Sequence, residues 1–255
     1  MFDTHMHTNY STDSKMTIEQ VIDKSSKYNL GIIITEHMDL NYRDENQFRF
    51  NVKDYFNNYE KYRGAKLLLG IEVGMTNKYC NEYERICNEY PFDYIIGSLH
   101  EMYDVDLYEA DSIYKNINKE ELFRKYFSEI VSRLNKHNFI NSLGHIDYLS
   151  RCAQYEDKEM YYEQFSEGID QVLKTLVDKD ISIELNTRRL GEKAAIENLI
   201  KIYKRYNELG GKYVTIGSDA HTPEAIGNHF KVAEELVEFC SLRMVYYKNR
   251  KREII

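Results

Sequence analysis

Seven short apolar runs, separated by stretches of helical periodicity, constrain this chain more than any other feature of it. The runs are Phe2 to His7, Gly31 to Thr35, Lys66 to Ile71, Asp93 to Leu99, Phe139 to Gly144, Ile181 to Leu185 and Tyr213 to Ser218. Most are continuous rather than alternating and rich in β-branched residues, the pattern of strands buried on both faces. Between them the sequence predicts helices over 18–28, 53–62, 81–89, 119–136, 160–178 and 193–209. The first opens on Thr17-Ile18-Glu19-Gln20, which has capping-box spacing, and the last closes on Gly210-Gly211, a C-terminal cap signal. Such alternation implies parallel pairing through right-handed crossovers, and an unbroken repeat favours a closed α/β barrel over an open sheet. A length of 255 residues suits one such domain spanning 1–255. The tail, Arg243 to Ile255, reads as a further strand or hairpin packed on this body.

The residues at the ends of the runs are not random. His5, His7, His37, His100, His145 and His221 all fall at or just past a predicted strand end, and so do the carboxylates Glu72 and Asp219. In an α/β barrel that is the face on which active sites are built. His5 and His7, two apart on a strand, have α-carbons roughly 6.6 Å apart on one face, so their imidazoles can converge on one ion. Asp13 lies in the loop after the first strand, while His137 and His229 fall off the pattern. Six imidazoles and three carboxylates exceed the needs of one ion, which implies two or three divalent metals. Nitrogen and oxygen donors without thiolate suit Zn, Mn or Fe. Glu72, presented between histidines of neighbouring strands, is the natural bridge between two ions roughly 3.5 to 4 Å apart around a shared hydroxide.

Charge and cysteine content narrow the partners. A net charge of −8 argues against nucleic acid or an anionic membrane as the main partner, since both require a positive field. Cys80, Cys87, Cys152 and Cys240 show no Cys-x-x-Cys spacing, as expected of reduced thiols in a cytoplasmic protein. No apolar run approaches the ~20 residues that span a bilayer. A small-molecule substrate fits these limits.

Read together, His5-Met6-His7-Thr8 with Ser11 and Asp13, Thr35-Glu36-His37, Gly70-Ile71-Glu72-Val73-Gly74, Gly97-Ser98-Leu99-His100, Gly144-His145-Ile146-Asp147 and Gly217-Ser218-Asp219-Ala220-His221 form an ordered set. That set, with Glu184-Leu185-Asn186-Thr187 and Leu209-Gly210-Gly211, resembles the polymerase-and-histidinol-phosphatase (PHP) superfamily, and most closely its histidinol-phosphate phosphatase branch. The resemblance implies a distorted (β/α)7 TIM-like barrel holding three metals. By position, His5, His7, Glu72 and Asp219 would hold the first, Glu72, His100 and His145 the second, and Asp13, His37 and His221 the third. Many relatives carry a histidine where this chain has Asp13; acidic ligation there is compatible with the phosphatase branch.

The expected reaction is hydrolysis of a small phosphomonoester, with L-histidinol phosphate as the substrate that the resemblance implies. A hydroxide shared by the first two metals would attack phosphorus in line with the ester oxygen, and the third would grip a phosphate oxygen. Arg188, at the end of the sixth strand, is the best-placed cation for orienting phosphate, followed by Arg151 and Arg189. Asp219 could accept a proton from water. Glu36, Asp106 or Glu109 could accept hydrogen bonds from the ammonium and imidazole of histidinol. An amidohydrolase would bridge its metals with a modified lysine, yet no lysine ends a middle strand; a nuclease of the same superfamily would want a basic groove; a module without chemistry would have lost ligands.

Overall fold

In the computed structural model, which describes residues 1–255, the predicted alternation is observed. The chain runs β1 (Phe2–Asp3), α1 (Ile18–Lys27), β2 (Gly31–Met38), α2 (Val52–Tyr59), β3 (Leu67–Gly74), α3 (Cys80–Glu89), β4 (Tyr94–Ser98) and a small antiparallel hairpin, β5 (Glu101–Met102) and β6 (Val105–Asp106). It continues through α4 (Asp111–Asn116), α5 (Lys119–Lys136), β7 (Ser142–Leu143), α6 (Tyr148–Cys152), α7 (Tyr162–Asp178), β8 (Ser182–Asn186), α8 (Lys193–Glu208) and β9 (Tyr213–Gly217). It ends with α9 (Phe230–Phe239), β10 (Arg243–Lys248) and β11 (Lys251–Ile254). The sheet order is β1-β2-β3-β4-β7-β8-β9-β10-β11, parallel throughout except for the final hairpin.

Local chemistry accounts for the helices. The Thr17 hydroxyl accepts from Gln20 N while the Gln20 side chain accepts from Thr17 N, closing the capping box of α1. α5 is capped by the Asn118 side chain and carries Glu120 and Glu121 in its first turn and Arg133 and Lys136 in its last, each favourable to the helix dipole. Five elements were not anticipated: β5, β6 and α4, in what reads as an acidic loop, and α6 and α9. α9 starts without a side-chain cap, from His229 in a left-handed conformation (φ 58°), so no start signal announces it. In the opposite sense, the strand expected from Phe139 to Gly144 shortens to Ser142–Leu143.

The period of two along each strand separates two environments. Outward residues such as Ile32, Ile34, Leu69, Ile71 and Ile95 join the helices in a core of 66 buried residues. Inward residues change character from base to mouth. At the base Ile33, Leu68, Tyr94 and Ile96 pack with Val245 and Tyr247 of β10. Above them Thr215 of β9 reaches Tyr94 Oη at 3.2 Å and Ser142 Oγ at 3.0 Å, contacts between strands that are not neighbours in the sheet and that therefore cross the interior. At the mouth, the next inward positions are His37, Glu72, Glu184 and Asp219.

The cylinder closes at that mouth. Thr4 N donates to Ile216 O, Asp219 N to His5 O and His7 N to Ala220 O, at 2.9, 2.7 and 2.9 Å, so the chain after β1 pairs with the end of β9. Lower down, β9 pairs instead with β10, through Tyr213 and Val214 opposite Arg243 and Met244. This split of β9 between two partners is the distortion of the barrel. The Phe2 and Tyr246 rings stack across it, 3.9 Å apart and 4° from parallel.

Candidate metal centre

Nine predicted donor residues meet at this mouth. His5 Nε2 lies 3.3 Å from Glu72 Oε2 and 3.8 Å from Asp219 Oδ1, and His7 Nε2 lies 3.5 Å from each. The two Nε2 atoms are 3.1 Å apart. On the other side of the same carboxylate, Glu72 Oε1 is 3.2 Å from His100 Nε2 and 3.0 Å from His145 Nε2, which are 3.5 Å from each other. A third group is more open: Asp13 Oδ2 lies 3.5 Å from His37 Nε2 and 2.9 Å from His221 Nε2. Atoms bound to one ion at about 2.1 Å stand about 3 to 3.5 Å from one another, and the spacings within the three groups, 2.9 to 3.8 Å, lie close to that.

Two observations test whether a cation fits. Glu72 Oε2 is completely buried and accepts no well-aligned hydrogen bond, its nearest neighbour being His37 Nδ1 at 2.8 Å, while Ser98 Oγ donates to Oε1 at 2.7 Å. A buried anionic oxygen without a donor is costly unless a positive charge faces it. The second is the orientation of the imidazoles. His5 Nδ1 is 2.7 Å from Glu184 Oε1, His100 Nδ1 is 2.9 Å from Asp39 Oδ1, and His221 Nδ1 is 2.9 Å from the Asp219 carbonyl. His7 Nδ1 is 3.1 Å from Ser11 Oγ, whose one hydrogen goes to Glu36 Oε2 at 2.6 Å, so Ser11 accepts from His7. Assigned from these partners, these four Nδ1 atoms donate and leave their Nε2 for a cation, whereas His145 Nδ1 has no partner and His37 Nδ1 faces Glu72 Oε2 at 2.8 Å.

The field agrees. Burial works against ionisation of Glu72, yet His5, His100 and His37 hold its carboxyl well below the usual range. Burial opposes ionisation of Asp219 as well, and Arg151 and His5 outweigh it. Burial disfavours a charged His37, but Glu72 and Asp13 push its pKa up to about 10. In the metal-free protein, against the cost of burial, the surrounding carboxylates favour protonated His5, His37 and His100, whereas burial keeps His7 and His145 neutral, so loading must displace the protons of the first three.

Above the donors opens a cleft of about 360 Å3. Arg151 and Arg188 line it together with Asp106, Glu109, Tyr42, Phe48, Tyr108 and Tyr148. Arg151, carried by α6, is the more firmly held of the two arginines: it donates to Asp219 Oδ2 at 2.6 Å and to Asn186 Oδ1 at 3.2 Å, and its buried Nε has no acceptor. Arg188 is half exposed and 3.7 Å from Asp219. Asp219 itself adopts φ 53°, a left-handed conformation that costs a non-glycine residue about 1 kcal/mol.

Two expectations are corrected. Arg189 does not reach the cleft; it is buried and paired with Asp147, Glu159 and Glu192, a network joining three segments. Glu36 is also absent from the cleft, because β2 turns it outward, where it accepts from Thr8 N and from the hydroxyls of Thr8 and Ser11. Two residues of the centre had no assigned role. Asp39 stands two positions after His37, the same spacing that pairs His5 with His7, and that period was the available signal. Glu184 is a charged residue inside an apolar run, directly beside Gly217. A Cβ at 217 would lie 2.3 Å from Glu184 Oε1 and 2.4 Å from His5 Cβ. Gly217→Ala should therefore destabilise the protein by about 1 to 3 kcal/mol, read by thermal unfolding, and lower its metal content.

Comparison with known proteins decides the family. Residues 3–188 match the PHP domain. The chain belongs to the PHP family. It is 51% identical, over 98% of both chains, to a probable histidinol-phosphatase of Clostridium acetobutylicum. It is 28% identical to the histidinol-phosphatase of Lactococcus lactis subsp. lactis, over 86% of this chain and 83% of that one. The crystal structure of histidinol phosphate phosphatase from Lactococcus lactis, complexed with zinc, L-histidinol and phosphate, superposes with a TM-score of 0.91. The match covers 99% of this chain and 98% of that one at 25% identity. A chain of archaeal ribonuclease P shares the fold at a TM-score of 0.52 and 12% identity, over 94% of this chain and 82% of that one, so membership of the fold alone does not set the substrate. No helix of this PHP protein is long and apolar enough to cross a membrane.

Proposed function

We propose that this chain is a histidinol-phosphatase, a metal-dependent phosphomonoesterase that releases phosphate from L-histidinol phosphate. The observation that carries the reading is that one cleft combines metal-donor groups, two arginines and an acidic, aromatic wall. A phosphate ester bearing a cationic, planar head group matches each of those parts. Under this reading His5, His7, Glu72 and Asp219 hold one ion, Glu72, His100 and His145 a second, and Asp13, His37 and His221 a third, with zinc the first candidate and manganese or iron the alternatives. When bound, such ions supply a nucleophile at neutral pH and offset the charge of the phosphoryl oxygens.

The remaining work falls to side chains. Arg151 and Arg188 orient the phosphate, and the unpartnered Arg151 Nε offers it a further donor. Asp219, kept ionised by Arg151 and His5, would take up, at a carboxylate oxygen, the proton that the attacking water loses. Asp106 and Glu109 attract the ammonium and imidazole of the substrate, while Tyr42, Phe48, Tyr108 and Tyr148 supply faces on which a planar cation can rest.

The test is phosphate release from L-histidinol phosphate against a panel of sugar and nucleotide monophosphates, with metal analysis of the same preparation. Histidinol phosphate is expected to be preferred, and a strong chelator to abolish turnover until zinc or manganese is restored. Preference for a nucleotide or sugar phosphate would overturn the substrate assignment, and full activity in metal-free protein would overturn the chemistry.

A further inference from the structure

Glu184 lies wholly buried at the centre of β8, where a carboxylate has no reason to be unless something binds both of its oxygens. Its Oε1 is 2.7 Å from His5 Nδ1. Its Oε2 accepts from the backbone N of His145 at 2.7 Å and more weakly from Asn186 Nδ2 at 3.4 Å. His5 belongs to the first donor group and His145 to the second, and they arrive from opposite parts of the sequence. The space that Glu184 occupies is left by Gly217 on the neighbouring strand, since any larger residue would press on both Glu184 and His5.

We infer that Glu184 is a positioning residue for the metal centre, fixing His5 as the Nδ1–H tautomer with Nε2 turned to the ion and setting the height of His145 relative to it. The inference rests on the metal assignment proposed above. A carboxylate can only accept, so it admits one arrangement of the His5 ring. Gln at 184 could still accept from His145 N with its carbonyl oxygen, but its amide would then point N–H at His5 Nδ1. To accept that hydrogen, His5 must move its own proton to Nε2, the atom needed by the ion.

The experiment is competitive zinc titration of Glu184→Gln and the wild-type chain, with thermal unfolding of both in metal-free form. Zinc affinity should fall about tenfold to a hundredfold, the usual cost of losing such an outer partner, with little change in unfolding of the metal-free protein. Zinc titrations that superimpose would overturn the inference, and so would a zinc loss accompanied by an equally marked loss of metal-free stability, because that is the signature of a merely structural carboxylate. Long-range proton–nitrogen NMR correlation on the zinc-loaded wild-type chain gives an answer even if the variant does not fold: His5 should carry its proton on Nδ1, and a proton on Nε2 would overturn the inference. Failure of the wild-type chain to bind zinc would instead count against the metal assignment on which the inference rests.

Discussion

Glu72→Gln is expected to lose more than about a hundredfold in turnover, exceeding what the loss of an outer partner alone costs, and to leave the purified protein short of metal. The expectation follows from the two sides of this carboxylate. Oε2 faces His5 and His7, and Oε1 faces His100 and His145, so a single charge serves two donor groups. An amide of the same shape keeps the packing but removes the negative charge and turns an N–H toward one of the groups. His5, His100 and His37, which hold Glu72 ionised, would then face a neutral group at the centre of the cluster. Metal analysis and phosphate release on one preparation read both effects. Wild-type metal content and activity in this variant would refute a bridging role for Glu72.

The second large effect is expected from Arg151→Ala, compared with Arg188→Ala. Arg151 is buried and hydrogen bonded to Asp219 and Asn186, whereas Arg188 is half exposed with only a loose approach to Asp219. Removing one partner of a buried, charged hydrogen bond costs about 2 to 5 kcal/mol, so kcat/KM should fall by roughly thirtyfold or more. The kcat should fall as well as KM rise, because Asp219 is released from its orientation. Arg188→Ala should mainly raise KM, as expected of a cation that only positions phosphate. Steady-state kinetics on both variants checks this ordering; equal KM effects with unchanged kcat would place the two arginines in the same role.

What could be read from the sequence was whatever lies along the chain. The period of two brings His5 beside His7, and the rule that barrel sites lie at strand ends gathered residues from Asp13 to His221 on one mouth. Partners across the barrel were less legible. Nothing near Glu184 in sequence announces that it supports His5, 179 positions away. Arg189 looked like its neighbour Arg188 because its buried partners Asp147, Glu159 and Glu192 come from three separate segments, and only packing separates the two arginines. Glu36 beside His37 misled for the converse reason: adjacent residues of a strand face opposite sides, so one enters the cleft and the other ties down the loop carrying Ser11.

The anchoring of the imidazoles has a kinetic meaning. Glu184, Asp39, Ser11 and the Asp219 carbonyl each hold one ring by its far nitrogen, Glu184 and Ser11 from behind the cleft and Asp39 and Asp219 from its wall. An arriving ion therefore meets a rigid claw, not a floppy chain that must be gathered. Capture should proceed without a slow rearrangement, and the empty protein should resist protease nearly as well as the filled one.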